Sequence, residues 1–466
     1  MSADPYDRVL EVADRHARRY LSELPDRPVR EAASVDELRG LLGRELPYTG
    51  EDPATVVDEL ARAAEPGLIA TAGPRYFGFV IGGSLPAALG ADLLATAWDQ
   101  VASLYVCGPS AGVAEEVAGR WVLDLLGLPP SAAFGLTTGG TMANFAGIAA
   151  GRHAVLRRAG WDVEARGLQD APRVRVLVGE HAHATIFVAL RMLGLGTDNA
   201  VRVEADDAGR MRPDRLAAEL ERGDGPAIVC AQAGEVNTGC FDPVDEIAGA
   251  CEPHGAWLHV DGAIGLWTAA TPKLAHLTRG LDRADSWSTD AHKWLNVPYD
   301  CGFVAAADPS ALGGAMGVSA AYLTAADAAR DSYEYVPESS RRARGFALYA
   351  TLRSLGCRGV GELVERCCDL ARVMAAELDA DPSLELLNDV VINQVLVAIR
   401  DDDSGDATAD AIARIQADGT CWLAGTTWRG RRAIRVSISN WRTSEDDVRR
   451  SAAAIRRCVA EATGHA

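Results

Sequence analysis

The segment PAIVCAQAGEVNTGCFDPVDEIAGACEPHGAWLHVDG, residues 226–262, contains two short apolar runs on either side of a helical pattern. The runs Ala227–Ala231 and Ala256–Val260 predict buried strands, and Val244–Cys251 predicts the helix between them. A strand, a helix and a second strand form a βαβ unit, whose two strands are parallel. The segment therefore predicts an α/β fold, in which ligands bind at the carboxyl ends of the strands.

The same alternation continues on both sides of this segment, from about residue 75 to residue 310. Val174–Val178 and Gly302–Ala306 predict further strands. The pattern between the strands is helical at Met142–Arg158, Ala184–Leu193 and Pro213–Glu221. We therefore expect one large, mostly parallel sheet that is covered by helices.

The two ends of the chain differ from this central pattern. Residues 5–70 predict helices that are separated by prolines and have apolar stripes but little core of their own. Beyond the polar stretch 318–345, a helix, two strands and a last amphipathic helix predict a smaller α+β domain. We expect three parts: an N-terminal helical segment at 1–73, which packs in a dimer, a large domain at 74–350 and a small domain at 351–466.

The composition excludes several classes of protein. Of the 466 residues, 48% are hydrophobic and 24% are charged, as in a globular protein with a large core. The formal charge of -19 repels nucleic acid and anionic membrane surfaces. The sequence has no apolar run of about 18 residues, no signal or transit peptide pattern and no C-x-x-C pair among its ten cysteines. We expect a cytoplasmic protein.

Lysine is almost absent from the chain. Only Lys273 and Lys293 occur, and 44 of the 46 basic residues are arginine. A lysine that persists in such a sequence can mark a place where the chemistry requires a primary amine. Lys293 lies in STDAHKWLN (288–296), among apolar and small residues. Partial desolvation would make its amine nucleophilic there, and an exposed loop lysine is the alternative.

Three further motifs lie where strands are predicted to end. Asp261 follows the strand Ala256–Val260 and can hold a proton on a ring nitrogen or cap a helix. The turn TTGGTMAN (137–144) opens a helix whose N-terminus attracts phosphate, although an ordinary capped loop has the same composition. His181 and His183 can stack on a planar cofactor, move a proton or lie in solvent. No third ligand with metal spacing follows them, so we expect no metal site.

One motif indicates a different reaction. GPSAG (108–112) matches the G-x-S-x-G pattern, follows an apolar run and precedes a helix, which is the context of a hydrolase nucleophile at Ser110. Pro109 restricts the residue before it, and no Asp–His pair presents itself downstream. A turn residue at Ser110 is therefore favoured, and a serine hydrolase is the weaker alternative.

Taken in order, the glycine turn, the histidine, the strand-end aspartate and the lysine resemble the group II pyridoxal-phosphate-dependent amino-acid decarboxylases. The resemblance extends from PRYFG (74–78) to NWRT (440–443), is most specific at DAHKWLN (290–296) and is closest to the aromatic-amino-acid branch. It implies the aspartate-aminotransferase-like fold type I, pyridoxal 5'-phosphate as cofactor, and a homodimer whose sites lie at the interface. The implied reaction converts an L-amino acid with an aromatic or apolar side chain to the amine and carbon dioxide.

The resemblance also implies a role for individual residues. Lys293 would hold the cofactor covalently, Asp261 would pair with its pyridine nitrogen, and His183 would stack on its ring. Tyr322 would protonate the substrate carbon after carbon dioxide has left. Further cofactor contacts are implied for Ala263 on the ring and for Gly140, Thr141 and His292 on the phosphate.

The substrate pocket of this family is lined around Val101, Ser103 and Tyr105, and Ser103 replaces a bulkier residue. In the family, a phenylalanine in place of Tyr322 favours oxidative aldehyde formation, so the tyrosine favours simple decarboxylation. An aldehyde-forming oxidase or another pyridoxal-phosphate lyase remains the alternative.

The chain departs from the family pattern at two more places. Glu235 begins the run EVNTG where a threonine pair is common, so a contact to the cofactor oxygen or the substrate carboxylate would pass to Asn237 or Thr238. Asp290 stands where a neutral phosphate donor is common, and an ionised carboxylate would repel phosphate.

Overall fold

The computed structural model describes residues 4–318 and 330–464, which form two β-sheets surrounded by helices. The strands of the larger sheet are β1 (Ala133–Thr137), β2 (Arg175–Gly179), β3 (Ala200–Val203), β4 (Ala227–Gln232), β5 (Trp257–Asp261), β6 (Ser286–Asp290) and β7 (Gly302–Ala306). The strands of the smaller sheet are β8 (Leu384–Leu386), β9 (Gln394–Ile399), β10 (Ala424–Trp428) and β11 (Arg431–Ser437).

The α-helices of the described residues connect and cover these strands. They are α1 (Pro5–Glu23), α2 (Val35–Leu42), α3 (Pro53–Ala64), α4 (Pro86–Trp98), α5 (Pro109–Leu125), α6 (Gly140–Arg158), α7 (Val163–Arg166), α8 (Ala184–Met192), α9 (Pro213–Glu221), α10 (Val244–Cys251), α11 (Pro309–Met316), α12 (Gly345–Asp379), α13 (Asp406–Asp418) and α14 (Glu445–Thr463). None of the helices in the described part of the chain is both long enough and apolar enough to cross a membrane.

The strand order of the larger sheet brings the ends of its strands together. The order is β1-β7-β6-β5-β4-β2-β3, and the strands from β6 to β3 are parallel. β7 is antiparallel to both of its neighbours, β6 and β1, so β1 points in the same direction as the parallel strands. The carboxyl ends of β1, β2, β4, β5 and β6 therefore meet at one edge, and the prediction of an α/β fold with a mostly parallel sheet is confirmed.

Both faces of the larger sheet are buried, which explains its apolar strands. Val229 and Leu258 belong to one hydrophobic cluster, whereas Ile228 and Trp257 belong to a second cluster. Each such side chain contributes about 1.5–3 kcal/mol through burial. A sheet with helices on both faces needs strands that are apolar at every position, as the sequence of β4 shows.

β6 has no hydrophobic pattern that would predict it. Its sequence SWSTD is mostly polar, yet all five residues are buried. Its two serines have buried partners: the Ser286 hydroxyl accepts from Trp257 Nε1 at 2.8 Å, and the Ser288 hydroxyl donates to Asn144 Oδ1. A strand whose polar side chains form internal hydrogen bonds gives no period-2 signal.

The N-terminal helices have little core of their own, as predicted. Val12 and Ala54 are the buried residues of α1–α3, while Tyr6, Leu10 and Leu60 are exposed apolar side chains. Amphipathic helices of this kind normally bury their apolar stripe against another element. Between α1 and α2, the segment contacts the C-terminal part of the chain, where the N–H of Val29 donates to the carbonyl of Gly419, the residue after α13, at 2.7 Å.

The small sheet and α12–α14 form the C-terminal part of the molecule. Helix α12 extends across the predicted boundary between residues 350 and 351, and Gly356 interrupts it with a φ of 63°. A glycine adopts this left-handed conformation without a steric penalty. The two helical halves therefore connect the large sheet to the small one without a separate linker.

Candidate active site

Lys293 lies in the loop after β6, at the carboxyl edge of the sheet. Its Nζ is 3.0 Å from Asp290 Oδ2, and its side chain is 19% exposed. Gly82 packs so closely that a Cβ on it would lie 1.9 Å from the Lys293 carbonyl oxygen. Asn296 closes the same loop, because its Oδ1 accepts from the N–H groups of Gly83 and Trp441 at 2.7 and 3.0 Å. Distant segments of the chain thus fix the backbone that carries the amine.

Asp261 ends β5, and two donors orient its carboxylate. Oδ1 accepts from the N–H of Ala263 at 3.1 Å, and Oδ2 accepts from Asn144 Nδ2 at 2.9 Å. The amide of Asn144 cannot turn around, because its Oδ1 accepts from His259 Nε2 at 2.9 Å and from the Ser288 hydroxyl. The carboxylate is therefore held in one direction by a helix side chain that is itself held by two strands.

The hydrogen-bond chain behind Asp261 continues into the core. Burial lowers the pKa of His259 to about 4, so its ring is neutral at neutral pH. Its Nε2 carries the proton that Asn144 Oδ1 accepts, and its Nδ1 accepts from the Ser286 hydroxyl at 2.9 Å. We call Asn144, His259, Ser286 and Ser288 the aspartate-support network, since all four lie behind the carboxylate of Asp261 and none of them is exposed.

His183 follows β2 and is the N-cap residue of α8. Its Nδ1 accepts from the N–H of Thr185 at 3.3 Å and lies 2.9 Å from the Thr185 hydroxyl. Burial lowers the pKa of His183, and the opposing effect of the Asp261 carboxylate is smaller. A neutral imidazole at this edge can pack on the face of a planar ring.

The turn between β1 and α6 supplies free backbone donors. Gly139 has a φ of 145°, which only glycine adopts readily. Within residues 4–318 and 330–464, the N–H groups of Gly140 and Thr141 have no protein acceptor. His292 adds a side-chain donor beside Gly139: its Nδ1 accepts from the N–H of Cys301 at 3.1 Å, so Nε2 carries the proton. Burial lowers the pKa of His292 and keeps this ring neutral. Together these donors form an anion site at a helix N-terminus.

These side chains line one cavity of about 320 Å³. Pyridoxal phosphate needs an amine for its aldehyde, an acidic partner for its ring nitrogen and donors for its phosphate. Lys293, Asp261 and the glycine turn with His292 meet these three needs at a single sheet edge. Asp290 is the exception, because its buried carboxylate lies against the glycine turn. The fold and the cavity thus define an enzyme that binds pyridoxal phosphate.

The single chain does not bring the predicted substrate-pocket residues to this cavity. Val101 pairs with Arg342, Ser103 is buried, and the N–H of Tyr105 donates to Asp331 Oδ1 at 2.7 Å. None of the three lines the cavity around Lys293. Tyr322 lies outside the described residues.

The EVNTG run forms a tight turn beside the cavity. Glu235 accepts from the N–H groups of Asn237 and Thr238 at 2.8 and 2.7 Å, and Asn237 Oδ1 accepts from Thr426. Neither Asn237 nor Thr238 lines the cavity, whose wall here is Val236. The structure does not bring either side chain to the cavity, because their polar groups are used within the turn and by β10.

The hydrolase alternative at Ser110 is also wrong. A nucleophile elbow needs a strand before the serine, whereas Tyr105–Cys107 forms a turn of 3₁₀ helix. Ser110 is exposed in the first turn of α5 and has no hydrogen bond to a histidine in the described part of the chain. The ring of His181 has a structural contact instead of a catalytic one: its centroid lies 4.5 Å from the centroid of the Trp428 ring.

The structure adds four site residues that the sequence analysis missed. Asn144 is four residues after Gly140, a spacing that places both on one helix face. Gln232 ends β4 and lines the cavity, a strand-end position that the sequence rule could have selected. Tyr299 lines the cavity beside His292, with the ring centroids 4.3 Å apart. Arg435 in β11 is buried with no partner for its Nε in the described residues, and no local signal marks it.

Comparison with known proteins agrees with this description. The family model described as pyridoxal-dependent decarboxylase conserved domain matches residues 36–400. Tryptophan decarboxylase 1 of Oryza sativa subsp. japonica is 28% identical over 461 residues, covering 91% of this chain and 87% of the relative. Acidic amino acid decarboxylase GADL1 of Homo sapiens is 30% identical over 361 residues, covering 76% and 68%.

A solved structure shows the same likeness across the whole chain. The crystal structure of Oryza sativa TDC with PLP and tryptamine matches with a TM-score of 0.92 and 25% identity, over 99% of both chains. The protein belongs to the pyridoxal-dependent decarboxylase family. It is a pyridoxal-phosphate-dependent amino-acid decarboxylase, and the predicted fold type, cofactor and reaction class are confirmed.

The geometry assigns the chemical work of this chain's residues. Bound pyridoxal phosphate supplies an electron sink for the pair released when the bond from Cα to the carboxylate breaks. Asp261, held by Asn144 and Ala263, would keep a proton at the pyridine nitrogen. The Lys293 amine would hold the cofactor through its aldehyde. His183, which lines the same cavity, would pack against the cofactor ring.

Proposed function

We infer that the substrate is an L-amino acid with an aromatic or apolar side chain. The observation that carries this proposal is the charge of the cavity lining. Among the described lining residues, Lys293 is the sole cation, while Asp261 and Asp290 are carboxylates. Lys293 is needed for the cofactor, so a second carboxylate on the substrate would find repulsion and no partner. Val236, Ile264 and Tyr299 instead offer apolar surface.

The carboxylate that every amino-acid substrate carries still requires one positive partner. Arg435 is close enough to His183 to affect its pKa, although burial has the largest effect on that pKa. Its guanidinium is buried, and burial lowers the pKa of Arg435. One guanidinium suffices for one carboxylate, which supports a substrate with an uncharged side chain.

Substrate preference is tested by carbon dioxide release from the purified holoenzyme. L-Tryptophan, L-tyrosine and L-phenylalanine are compared with L-glutamate and L-aspartate at equal concentration. We expect turnover of at least one aromatic substrate and about 100-fold lower kcat/KM for the acidic pair, since an unpaired buried charge costs several kcal/mol. Preference for an acidic substrate would contradict the proposal. Stoichiometric hydrogen peroxide would identify the oxidative alternative.

The proposed assembly is a homodimer in the cytoplasm. Its support is the unpartnered apolar surface: α1, α3 and α4 expose Leu10, Leu60, Leu93 and Trp98. Exposed apolar side chains in this number mark an association surface. Val101, with 40% of its surface exposed, and its neighbours Ser103 and Tyr105 would then line the cavity of the partner subunit.

A complementation experiment tests both the dimer and the shared pocket. Lys293→Ala removes the cofactor amine of its own chain, and Val101→Trp, at an exposed position, would block the cavity of the partner. When the two inactive variants are unfolded and refolded together, about a quarter of wild-type activity should return, because half of the dimers are mixed and each has one intact site. Ser110→Trp, on an exposed position of α5, is the matched control and should be active alone. Absence of complementation would contradict a shared pocket.

A further inference from the structure

Asp290 is a carboxylate placed where the cofactor phosphate must bind. It is 1% exposed at the end of β6. A Cβ on Gly140 would lie 2.8 Å from Asp290 Oδ2, and a Cβ on Gly139 would lie 3.6 Å from Oδ1. The carboxylate therefore faces the same glycine turn whose free N–H groups attract an anion.

The partners of Asp290 are incomplete. Oδ2 is 3.0 Å from Lys293 Nζ, whereas Oδ1 is buried and has no hydrogen bond in the described residues. His292 Nε2 is 3.5 Å from Oδ1. Leaving a buried polar atom unpaired costs about 1–3 kcal/mol, so Oδ1 is poised for a partner that enters the cavity.

Cofactor binding changes the charges around this carboxylate. The Lys293 ammonium is its only directly paired cation in the described residues, and this amine would be taken up by the cofactor aldehyde. The phosphate dianion would then lie at the glycine turn, beside Asp290. Two anions in contact in a buried site cannot both stay charged without a large penalty, and the usual result is that one takes up a proton.

We propose that Asp290 takes up one proton when the cofactor phosphate binds, so that its neutral carboxyl group donates a hydrogen bond to a phosphate oxygen. Cofactor affinity is then linked to pH and falls as the pH rises. The other titratable groups near Asp290 are Lys293 and His292 on its own loop, Tyr299 and the buried Cys301 beyond them, and His183 and Asp261 across the cavity. The inference rests on the cofactor and is independent of the substrate proposed above.

The test compares two ligands on the apoenzyme. Pyridoxal 5'-phosphate carries the phosphate, and pyridoxal lacks it but offers the same aldehyde to Lys293. Dissociation constants are measured by near-visible absorbance from pH 6.5 to 9 for wild type, Asp290→Asn and the control Asp300→Asn. Asp300 is a nearby carboxylate that pairs with Arg344 at 2.7 Å and does not line the cavity.

For pyridoxal phosphate, we expect the affinity of Asp290→Asn relative to wild type to rise up to tenfold per pH unit, the limit for one linked proton. At pH 9 the variant should bind at least tenfold more tightly. For pyridoxal, the ratio should not change with pH, and Asp300→Asn should follow wild type with both ligands. A pH-independent ratio for pyridoxal phosphate, or the same pH-dependent change for pyridoxal, would overturn the proposal, because Asp290 would then act through Lys293 alone.

Calorimetry on the wild-type protein gives a measurement that needs no variant. Binding heats in two buffers of different ionisation enthalpy give the number of protons taken up at pH 8. Uptake of about one more proton with pyridoxal phosphate than with pyridoxal supports the proposal, and equal uptake overturns it. Failure of both ligands to bind would refute the cofactor assignment itself, which is a separate outcome.

Discussion

Replacement of Asn144 by leucine tests whether the aspartate-support network holds Asp261 in place. The amide of Asn144 donates to Asp261 Oδ2 at 2.9 Å, and its oxygen accepts from His259 and Ser288. Leucine has a similar volume and no polar atom. The substitution therefore removes the amide nitrogen that donates to Asp261 and to the Thr185 hydroxyl, and the oxygen that accepts two hydrogen bonds, without emptying the site.

The expected loss can be worked out from these contacts. A hydrogen bond to a charged group contributes about 1.5–3 kcal/mol, and each of the two donors left without an acceptor costs about 1–3 kcal/mol. The lower limits alone give a loss of about 3.5 kcal/mol in the free energy of unfolding. Only the N–H of Ala263 would still orient Asp261. Loss of about 1.4 kcal/mol of cofactor binding free energy weakens affinity about tenfold.

The assay is urea unfolding of the apoenzyme, followed by tryptophan fluorescence, together with cofactor titration. Apoenzyme is used because bound cofactor would itself add stability. Ser288→Ala is the matched control, since it removes one buried hydrogen bond of the same Asn144 oxygen and leaves the bond to Asp261 intact. We expect the control to lose about 1 kcal/mol and to keep its cofactor affinity. If Asn144→Leu lost no more stability or affinity than Ser288→Ala, the assigned role of the network would be refuted.

Two further predictions concern the cofactor amine and the acid side of the stability profile. Lys293→Ala should abolish turnover and the near-visible absorbance of bound cofactor, while Lys273→Ala, which removes a surface lysine paired with Asp369, should keep both. In the folded state the pKa of His259 is lowered to about 4, whereas in the unfolded state it has its ordinary value of about 6.5. Between these two pH values the unfolded state therefore binds more protons than the folded state. Stability should therefore fall as the pH drops from about 6.5 to 4, by up to about 3 kcal/mol from this residue, and His259→Gln should remove that slope. The pKa of Asp242 is raised to about 6, so this residue makes stability increase as the pH falls, which opposes the effect of His259. The urea midpoints of variant and wild type must therefore be compared at each pH, so that the contribution of Asp242 cancels.

The fold was predictable to the extent that burial follows hydrophobicity. Helices Pro213–Glu221 and Val244–Cys251 and strand Gly302–Ala306 occur with the predicted bounds, because each has an apolar pattern that matches its burial. β6 could not be predicted, since its sequence has no apolar run and its two buried serines form hydrogen bonds with residues of β5 and α6. A buried polar strand is stabilised by contacts with residues that are distant in the sequence, so a short window of sequence cannot predict it.

The site was predictable where single strands end. Asp261 and His183 lie at or after the ends of predicted strands of one sheet, so the rule for carboxyl edges places them together. Lys293 is selected instead by the scarcity of lysine and by its motif, because the sequence does not predict β6 before it. Arg435 could not be predicted, because it belongs to the second sheet, and its effect on the pKa of His183 depends on how the two sheets pack. Ser103 does not line the cavity of its own chain, so its place in a substrate pocket could not be established from one chain.

The loop of Lys293 has a consequence for how the protein is made. Asn296 fixes this loop through Gly83 on one side and through Ser439 and Trp441 on the other. A nascent chain emerges from the ribosome from its N-terminus at about 5–20 residues per second, so residues 439–441 arrive after nearly all of the large sheet. The hydrogen bonds that complete this loop can therefore form only late in synthesis. Truncation after residue 430 removes them, and we expect the shortened chain to retain pyridoxal phosphate poorly.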